Sequence, residues 1–134
     1  MEIYCANTAN IVELLRYDRH IVKSELENTV HLGRIYIARE KNELIGWLRY
    51  GMFWDSIPFM NMLYVLDGHR GNGTGSRLVS FWEDEMRRAG HKQVMTSTQS
   101  DEYAQHFYVK RGYKTIGGFM LDTQPYELIM VKNI

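Results

Sequence analysis

The stretch Arg70-Gly71-Asn72-Gly73-Thr74-Gly75-Ser76 decides how the rest of the chain is interpreted. It follows an apolar run that predicts a strand, Ile57–Leu66, and it opens a segment of helical periodicity, Gly73–Ala89. Glycine permits positive φ and lets a ligand approach the backbone closely. The first turn of a helix has unpaired N–H groups and a partial positive charge, so the stretch predicts a pyrophosphate site. A flexible turn before a helix is the alternative that the glycines alone leave open.

The glycine spacing separates this stretch from two other phosphate-binding loops. A P-loop would end in Gly-Lys-Ser or Gly-Lys-Thr, and the stretch contains no lysine. A dinucleotide-binding fingerprint requires three glycines in the pattern G-x-G-x-x-G. With Gly71 and Gly73 as the first two, the third glycine would have to be at position 76, which is Ser76. The spacing that fits is Arg/Gln-x-x-Gly-x-Gly/Ala, with Arg70, Gly73 and Gly75 in the fixed positions.

A second motif lies downstream and reads Ala104-Gln105-His106-Phe107-Tyr108-Val109-Lys110-Arg111-Gly112-Tyr113. With the two motifs in this order, the sequence resembles the GNAT superfamily of N-acetyltransferases from about residue 1 to residue 134. The first motif resembles the family's acetyl-CoA pyrophosphate loop, and the second its Ala…Phe-Tyr…Gly-Phe segment. The resemblance implies that an acetyl group moves by direct attack from acetyl-CoA to a primary amine of a small molecule or peptide.

The resemblance also implies a fold and a set of cofactor contacts. The expected fold is α/β, the GNAT-like acyl-CoA N-acyltransferase fold, with a mixed sheet of six or seven strands and flanking helices. The sheet should be splayed at the cofactor site, between Ile57–Leu66 and Gln93–Thr98. The pantetheine arm should pair with main-chain groups there. The residues implied to bind the cofactor are Leu63, Tyr64, Val65, Arg70, Gly71, Asn72, Gly73, Thr74, Gly75, Ser76 and Tyr108.

Hydrophobic periodicity predicts the remaining elements as strands and helices in a mixed order. The predicted strands are Met1–Cys5, Arg34–Arg39, Leu44–Phe53, Ile57–Leu66, Gln93–Thr98, Tyr113–Phe119 and Tyr126–Val131. The predicted helices are a segment through Ile11, Leu14 and Leu15, then Ile21–Thr29, Gly73–Ala89 and Asp101–Lys110. We expect Asp101 to cap the last helix.

Tyr108 is the candidate general acid, because it occupies the slot where the family commonly places that group. A tyrosine with a pKa near 10 holds its proton at neutral pH and can donate it to a departing thiolate. Packing beside Phe107 is the alternative for Tyr108. The family's usual glutamate base falls at Phe59, and Pro58–Leu66 contains no carboxylate. Asp55 and Glu25 are therefore the candidates to act as base through water, and Asn61 is a candidate only to orient a water, each with a structural role as the alternative.

Aromatic residues concentrate in Gly46–Met60 and suggest where an acceptor binds. They are Trp47, Tyr50, Phe53, Trp54 and Phe59. The substrate-binding candidates are Phe53, Trp54 and Asp55, because aromatics beside one carboxylate suit a cationic or amphipathic amine. Core packing and turn structure are the alternatives.

Composition limits the remaining classes. The chain has 134 residues, the size of one domain, with 16 Lys+Arg and 16 Asp+Glu. Balanced, scattered charge argues against nucleic acid as a partner, and no apolar run reaches the roughly 20 residues of a membrane helix. We expect a single domain over residues 1–134, a cytoplasmic location, no metal, an amine-bearing acceptor as partner and a buried Cys5. A homodimer is left open. An acyl-CoA-binding sensor with little or no catalysis is the alternative function.

Overall fold

A computed structural model describes residues 1–134, and it contains the strands and helices that the sequence predicts. The strands are β1 (Glu2–Cys5), β2 (Ile35–Glu40), β3 (Glu43–Phe53), β4 (Ile57–Val65), β5 (Gln93–Gln99), β6 (Lys114–Phe119) and β7 (Glu127–Asn133). The helices are α1 (Ile11–Tyr17), α2 (Lys23–His31), α3 (Thr74–Arg88) and α4 (Ala104–Lys110), and a 3-10 turn spans Thr8–Asn10. No helix is long and apolar enough to span a bilayer.

The strands form one mixed sheet in the order β1-β2-β3-β4-β5-β7-β6. All neighbours are antiparallel except β4 and β5, which run parallel and pair only through Phe59–Met95 and Met60–Thr96. Beyond Met60 the two strands separate. The predicted α/β fold and its splayed sheet are therefore confirmed.

A β-bulge in β4 lies directly at the point of separation. Arg49 of β3 pairs with Met62 and the next residue, Tyr50, pairs with Met60, so Asn61 is the extra residue. A bulge of this kind bends its strand and shifts the alternation of side chains between the two faces. Met60 accordingly packs in one core cluster, and Met62 in the other.

The sheet carries two helices on each face. On one face, α3 and α4 build the larger core cluster, which includes Leu78, Val79, Trp82, Met86 and Tyr108. On the other face, α1 and α2 cover β2, β3 and the end of β4 through a cluster that includes Leu14, Leu26, Val30, Ile37 and Trp47. That second cluster contains no residue of β5, β6 or β7, so this part of the sheet carries no helix on that face.

The second sequence motif places a glycine directly after the end of a helix. Gly112 follows α4 with φ 92° and donates its N–H to the Val109 carbonyl at 3.1 Å. Tyr113 donates its N–H to the Tyr108 carbonyl at 3.1 Å, which completes a Schellman cap. The rings of Tyr108 and Tyr113 lie 5.5 Å apart, the apolar contact that accompanies such a cap. The spacing of the second motif thus has a local structural cause.

Two expectations about single residues are wrong. Asp101 does not cap a helix, because α4 begins at Ala104 with Tyr103 in the cap position, and Asp101 is exposed in the preceding turn. The Glu102 carboxylate instead accepts the Gln99 N–H at 3.1 Å. Cys5 is exposed and not buried, because it ends β1 at the edge of the sheet.

Candidate active site

A cleft of about 730 Å³ lies between the part of β4 that has separated from β5 and the helices α3 and α4, and we name it the split cleft. It is lined by Leu63, Tyr64, Val65, His69, Arg70, Gly71, Gly73, Thr74, Gly75, Ser76, Glu102, Tyr103, Ala104, Phe107 and Tyr108. Every residue that the sequence suggested for cofactor binding lies here, except Asn72. The two sequence motifs therefore meet across one cleft, on the face of the sheet that carries α3 and α4.

The loop between β4 and α3 ends in a helix start suited to an anion. Gly71 and Gly73 have φ of 80° and 81°, the left-handed conformation that favours glycine. Gly73 is the N-cap of α3, and no side chain caps the helix. The first-turn N–H groups have no partner within the helix and carry the positive end of its dipole. Those of Thr74, Gly75 and Ser76 lie beside the cleft.

Gly75 differs from Gly71 and Gly73 in what its position requires. Its backbone is not left-handed, but a Cβ there would lie 3.6 Å from the Phe107 ring and 3.8 Å from Val65. These are ordinary contact distances, so the position would accept alanine. The glycines of the loop consequently differ in kind: Gly73 is required by its left-handed conformation, whereas neither conformation nor space excludes a methyl group at Gly75.

Arg70 is held by the end of β4. Its Nε donates to the Val65 carbonyl at 2.7 Å, its Nη1 lies 3.2 Å from the Asp67 carboxylate, and its guanidinium lies 5.1 Å from the centre of the Tyr64 ring. The ion pair is exposed and contributes little stability, at most about 1 kcal/mol. Arg70 thus orders the base of the loop while its outer guanidinium edge remains at the cleft.

Main-chain groups on one edge of β4 face the split cleft. Leu66 donates its N–H to the Ile45 carbonyl of β3 at 2.8 Å. Because successive residues of an antiparallel strand turn their main-chain groups to alternate edges, Leu63 and Val65 direct theirs away from β3 and toward the opening. Tyr64 directs its main-chain groups toward β3, and it lines the cleft with its side chain.

Tyr108 lies at the closed end of the split cleft. It is only 6% exposed and sits beside Thr96, the last residue of β5 that pairs with β4. The Thr96 hydroxyl donates to the Met60 carbonyl at 3.0 Å. Burial raises the pKa of Tyr108 to about 12, and the neighbouring Thr96 hydroxyl partly opposes that shift. The phenol therefore keeps its proton throughout the neutral and moderately alkaline range.

A buried polar chain supports the ring of Tyr108 from behind. Tyr113, which packs on Tyr108, donates its hydroxyl to the Glu83 carboxylate at 2.7 Å. The same carboxylate lies 2.8 Å from the Lys132 ammonium. Burial is the main cause that raises the pKa of Tyr113, and the Glu83 charge adds to it. This chain holds the hydroxyl of Tyr113, whose ring packs on Tyr108.

A second concavity, of about 280 Å³, lies on the opposite face of the sheet, and we name it the aromatic groove. It is lined by Gly51, Met52, Phe53, Phe59, Asn61, Phe119 and Ile129. Phe53 and Phe59 are stacked with ring centres 6.1 Å apart. Phe59 precedes Met60, so its side chain points to the face opposite the Met60 core. The groove and the cleft thus adjoin the same separation of β4 from β5.

The other sequence candidates lie apart from both concavities. Trp54 and Asp55 form the tip of the β3–β4 hairpin, both exposed, with φ of 53° and 60°. Neither lines the split cleft or the aromatic groove. Glu25 is exposed on α2. The roles suggested for these three residues stay predictions, whereas Phe53 and Asn61 do line the groove.

Several lining residues were not assigned to a site from the sequence. In the split cleft they are His69, Glu102, Tyr103, Ala104 and Phe107. Those in the second motif could have been found from it, because one face of a short helix presents Ala104, Phe107 and Tyr108 together. No sequence pattern indicated Phe119 and Ile129 of the groove, since their place in it depends on the pairing of β6 with β7.

Comparison with known proteins shows the family of this chain. Residues 5–113 match the model of the acetyltransferase (GNAT) family. An uncharacterized N-acetyltransferase of Bacillus subtilis (strain 168), YhfO, is 30% identical over 105 residues, which cover 74% of this chain and 69% of YhfO. The chain therefore belongs to the GNAT acetyltransferase family.

Solved structures show the same fold at low identity. The PaiA N-acetyltransferase from Thermoplasma acidophilum, in complex with coenzyme A, superposes with a TM-score of 0.80 at 18% identity over 99% of this chain and 98% of its own. The aminoglycoside 6'-N-acetyltransferase from Enterococcus faecium gives 0.82 at 20% identity, over 99% and 97%. Both similarities concern the fold alone, and they leave the acceptor of this chain open.

Proposed function

We propose that this protein transfers the acetyl group of acetyl-CoA to a primary amine of a small molecule or peptide, by direct attack and with Tyr108 as general acid. The observation that carries the proposal is the split cleft. It joins an anion-binding helix start at one end to a buried, protonated phenol at the other. Membership of the acetyltransferase family and a related fold that binds coenzyme A support acetyl-CoA as the co-substrate.

Each part of the cleft fits one part of an acyl-CoA. The N–H groups at the start of α3 suit the pyrophosphate. The cleft-facing main-chain groups of Leu63 and the N–H of Val65 suit the amide-bearing pantetheine arm, which would extend the sheet along β4. The thioester would then lie near Tyr108, at the closed end of the cleft.

The proposed transfer balances without a further reactant. The lone pair of the neutral amine attacks the thioester carbonyl carbon, a C–N bond forms, and the C–S bond breaks. Tyr108 gives its proton to the departing sulfur, and the nitrogen loses one proton, which restores the phenol through solvent. The products are an amide and a free thiol.

We place the acceptor in the aromatic groove, which contains Phe53, and the proposed chemistry then lacks a carboxylate base beside it. No Asp or Glu lines the aromatic groove, and the single polar side chain there is Asn61. We therefore propose that the amine arrives already neutral and that Asn61 orients it or a water molecule. This feature also favours the alternative function, an acyl-CoA-binding domain with little catalysis, because an efficient transferase often has a dedicated base.

One experiment tests both functions. Acetyl-CoA is incubated with a panel of primary amines and peptides, thiol release is followed, and coenzyme A affinity is measured by calorimetry. Release of thiol that depends on the amine, with an acetylated product seen by mass spectrometry, supports the transferase. Tight coenzyme A binding without turnover of any amine would favour the sensor, and absence of binding would overturn both.

A further inference from the structure

The aromatic groove has a composition that selects one kind of molecule. Three aromatic side chains, Phe53, Phe59 and Phe119, line it together with Met52 and Ile129. Phe119 is 43% exposed, although it is a large apolar residue on a strand. An apolar ligand that covers exposed apolar and aromatic side chains removes their surface from water, and this burial favours binding.

No charged side chain lines the groove, and two charged residues that flank it, on β3 and β7, have hydrogen-bond partners of their own. Arg49 lies on β3 two residues before Gly51, and its Nε is bound to the buried Asp18 carboxylate at 2.7 Å. Glu127 pairs with Phe119 across the β6–β7 ladder, and its carboxylate accepts from the Gln124 side chain at 2.9 Å. No lining residue is an Asp, Glu, Lys or Arg.

This composition is unfavourable for several acceptors that the family fold could otherwise serve. A polycation, such as an aminoglycoside, would bring several charges to a surface with no carboxylate to pair them, and burying an unpaired charge is costly. An amino-acid acceptor with carboxylates meets the same penalty, because the groove offers no cation. A molecule that carries one neutral amine and an apolar ring avoids both of these penalties.

We infer that the acceptor is a primary amine carried on a flat apolar body, of which an arylalkylamine is the simplest form. The ring lies against Phe53, Phe59 and Phe119, and the short alkyl chain carries the nitrogen past Asn61 toward the separation of the strands. A groove of about 280 Å³ is at the small end of ligand sites, so it holds one ring system and no larger body. The inference rests on the proposed function, because it specifies the acceptor of that same transfer.

The kinetic test compares 2-phenylethylamine, ethylamine, kanamycin and glutamate as acceptors with acetyl-CoA. Phenylethylamine and ethylamine carry the same kind of amine, so their ratio reports the ring alone. We expect kcat/KM for 2-phenylethylamine to exceed that for ethylamine at least about tenfold, and kanamycin and glutamate to be poorer still. Equal values for the two simple amines, or a preference for kanamycin or glutamate, would overturn the inference and leave the transferase proposal standing.

A matched pair of variants locates the effect. Phe119→Ala should bring the ratio of 2-phenylethylamine to ethylamine close to one. Ile116→Ala, on the same strand and 57% exposed, does not touch the groove and should leave the ratio unchanged. Melting curves check that both variants fold. An equal change of the ratio in both variants would place the ring elsewhere.

A binding measurement separates this inference from the transfer itself. With methyl-labelled Met and Ile, 2-phenylethylamine added to the protein with coenzyme A should shift the Met52 and Ile129 methyl resonances, and ethylamine should not. If those shifts occur and no amine is acetylated, the transferase proposal fails while the groove assignment holds. If amines are acetylated and those methyls do not respond, the groove assignment fails.

Discussion

The split cleft and the aromatic groove adjoin the same separation between β4 and β5, but they are built from different chemical groups. The cleft depends on the backbone: left-handed glycines, N–H groups at a helix start and the free edge of β4. The groove depends on side chains from strands far apart in the chain, β3, β4, β6 and β7. A backbone site suits a ligand that many related proteins share, and a side-chain site can change its ligand with a few substitutions. We therefore expect variants of the two regions to affect different kinetic constants.

The largest effect should come from Gly73→Val. A β-branched side chain at φ 81° costs on the order of 1–3 kcal/mol of strain, and relief of that strain would turn the first N–H groups of α3 away from the cleft. We expect coenzyme A binding to fall below detection by calorimetry. A Cβ there meets nothing within 4 Å, so the fold should survive, as circular dichroism can check.

Gly75→Ala is the control for that variant. Its conformation is not left-handed and its new methyl would make ordinary contacts, so coenzyme A affinity should change by less than about threefold. Unchanged affinity in Gly73→Val, or equal losses in both variants, would show that the backbone conformation of the loop does not hold the pyrophosphate.

Tyr108→Phe should have the next largest effect, on turnover only. The change removes one hydroxyl and keeps the packing, so we expect kcat to fall roughly ten- to a thousandfold, the range for a lost acid catalyst. Coenzyme A affinity should stay nearly the same. Steady-state kinetics and calorimetry on the same preparation measure both.

Tyr113→Phe is the matched control, because it removes a hydroxyl that faces Glu83 and neither concavity. It should lower the free energy of unfolding by about 1–3 kcal/mol, because one oxygen of a buried carboxylate loses its donor. Its kcat should stay near that of the unmodified protein. Full activity in Tyr108→Phe would leave Tyr108 with a packing role.

The pH dependence should reflect the amine and not the protein. The raised pKa of Tyr108 keeps the acid protonated at every pH below about 12, so its catalytic form is lost only as pH rises through that value. With no carboxylate beside the groove, kcat/KM for the amine should rise about tenfold per pH unit until the amine's own pKa. Profiles from pH 6 to 10 with two amines of different pKa test this. A plateau at one common pH for both amines would reveal a base on the protein.

The smallest effect should come from Asp55→Asn. A contact with a cationic acceptor would raise KM for that amine, and a role as base would lower kcat. The position of Asp55 at an exposed hairpin tip leads us to expect a turn role and changes within about twofold. Asparagine accepts a left-handed conformation readily, so the melting temperature should hardly change. A KM increase above about fivefold for amines alone would support acceptor contact.

The parts that the sequence predicted well are those with local causes. Gly73 and Gly112 stand where a helix begins or ends, and such positions need a particular backbone conformation whatever the rest of the fold does. The strands around the separation also followed from local patterns of apolar residues. The split cleft itself was expected from the resemblance to the GNAT family, which rests on the two motifs and the order of elements.

The parts that were missed depend on contacts across the sheet. Phe119 reaches the groove only because β6 pairs with β7 and β7 with β5, a register that periodicity does not reveal. Glu83 reads as a polar position on an amphipathic helix, yet it is 4% exposed because Tyr113 and Lys132 reach it. Sequence patterns place a residue on an element, and tertiary pairing decides what it meets.

The bulge at Asn61 makes the length of β4 a determinant of the site. Removing this one residue would keep Met62 opposite Arg49 and Leu63 opposite Leu48, but it would take away the bend that a bulge gives its strand. A straighter β4 would extend its pairing with β5 beyond Met60–Thr96 and close the edge of Leu63 and Val65 that now faces the cleft. Among related sequences, a one-residue gap here should therefore be far rarer than larger length changes between Met120 and Tyr126, where the chain forms an exposed connection between strands.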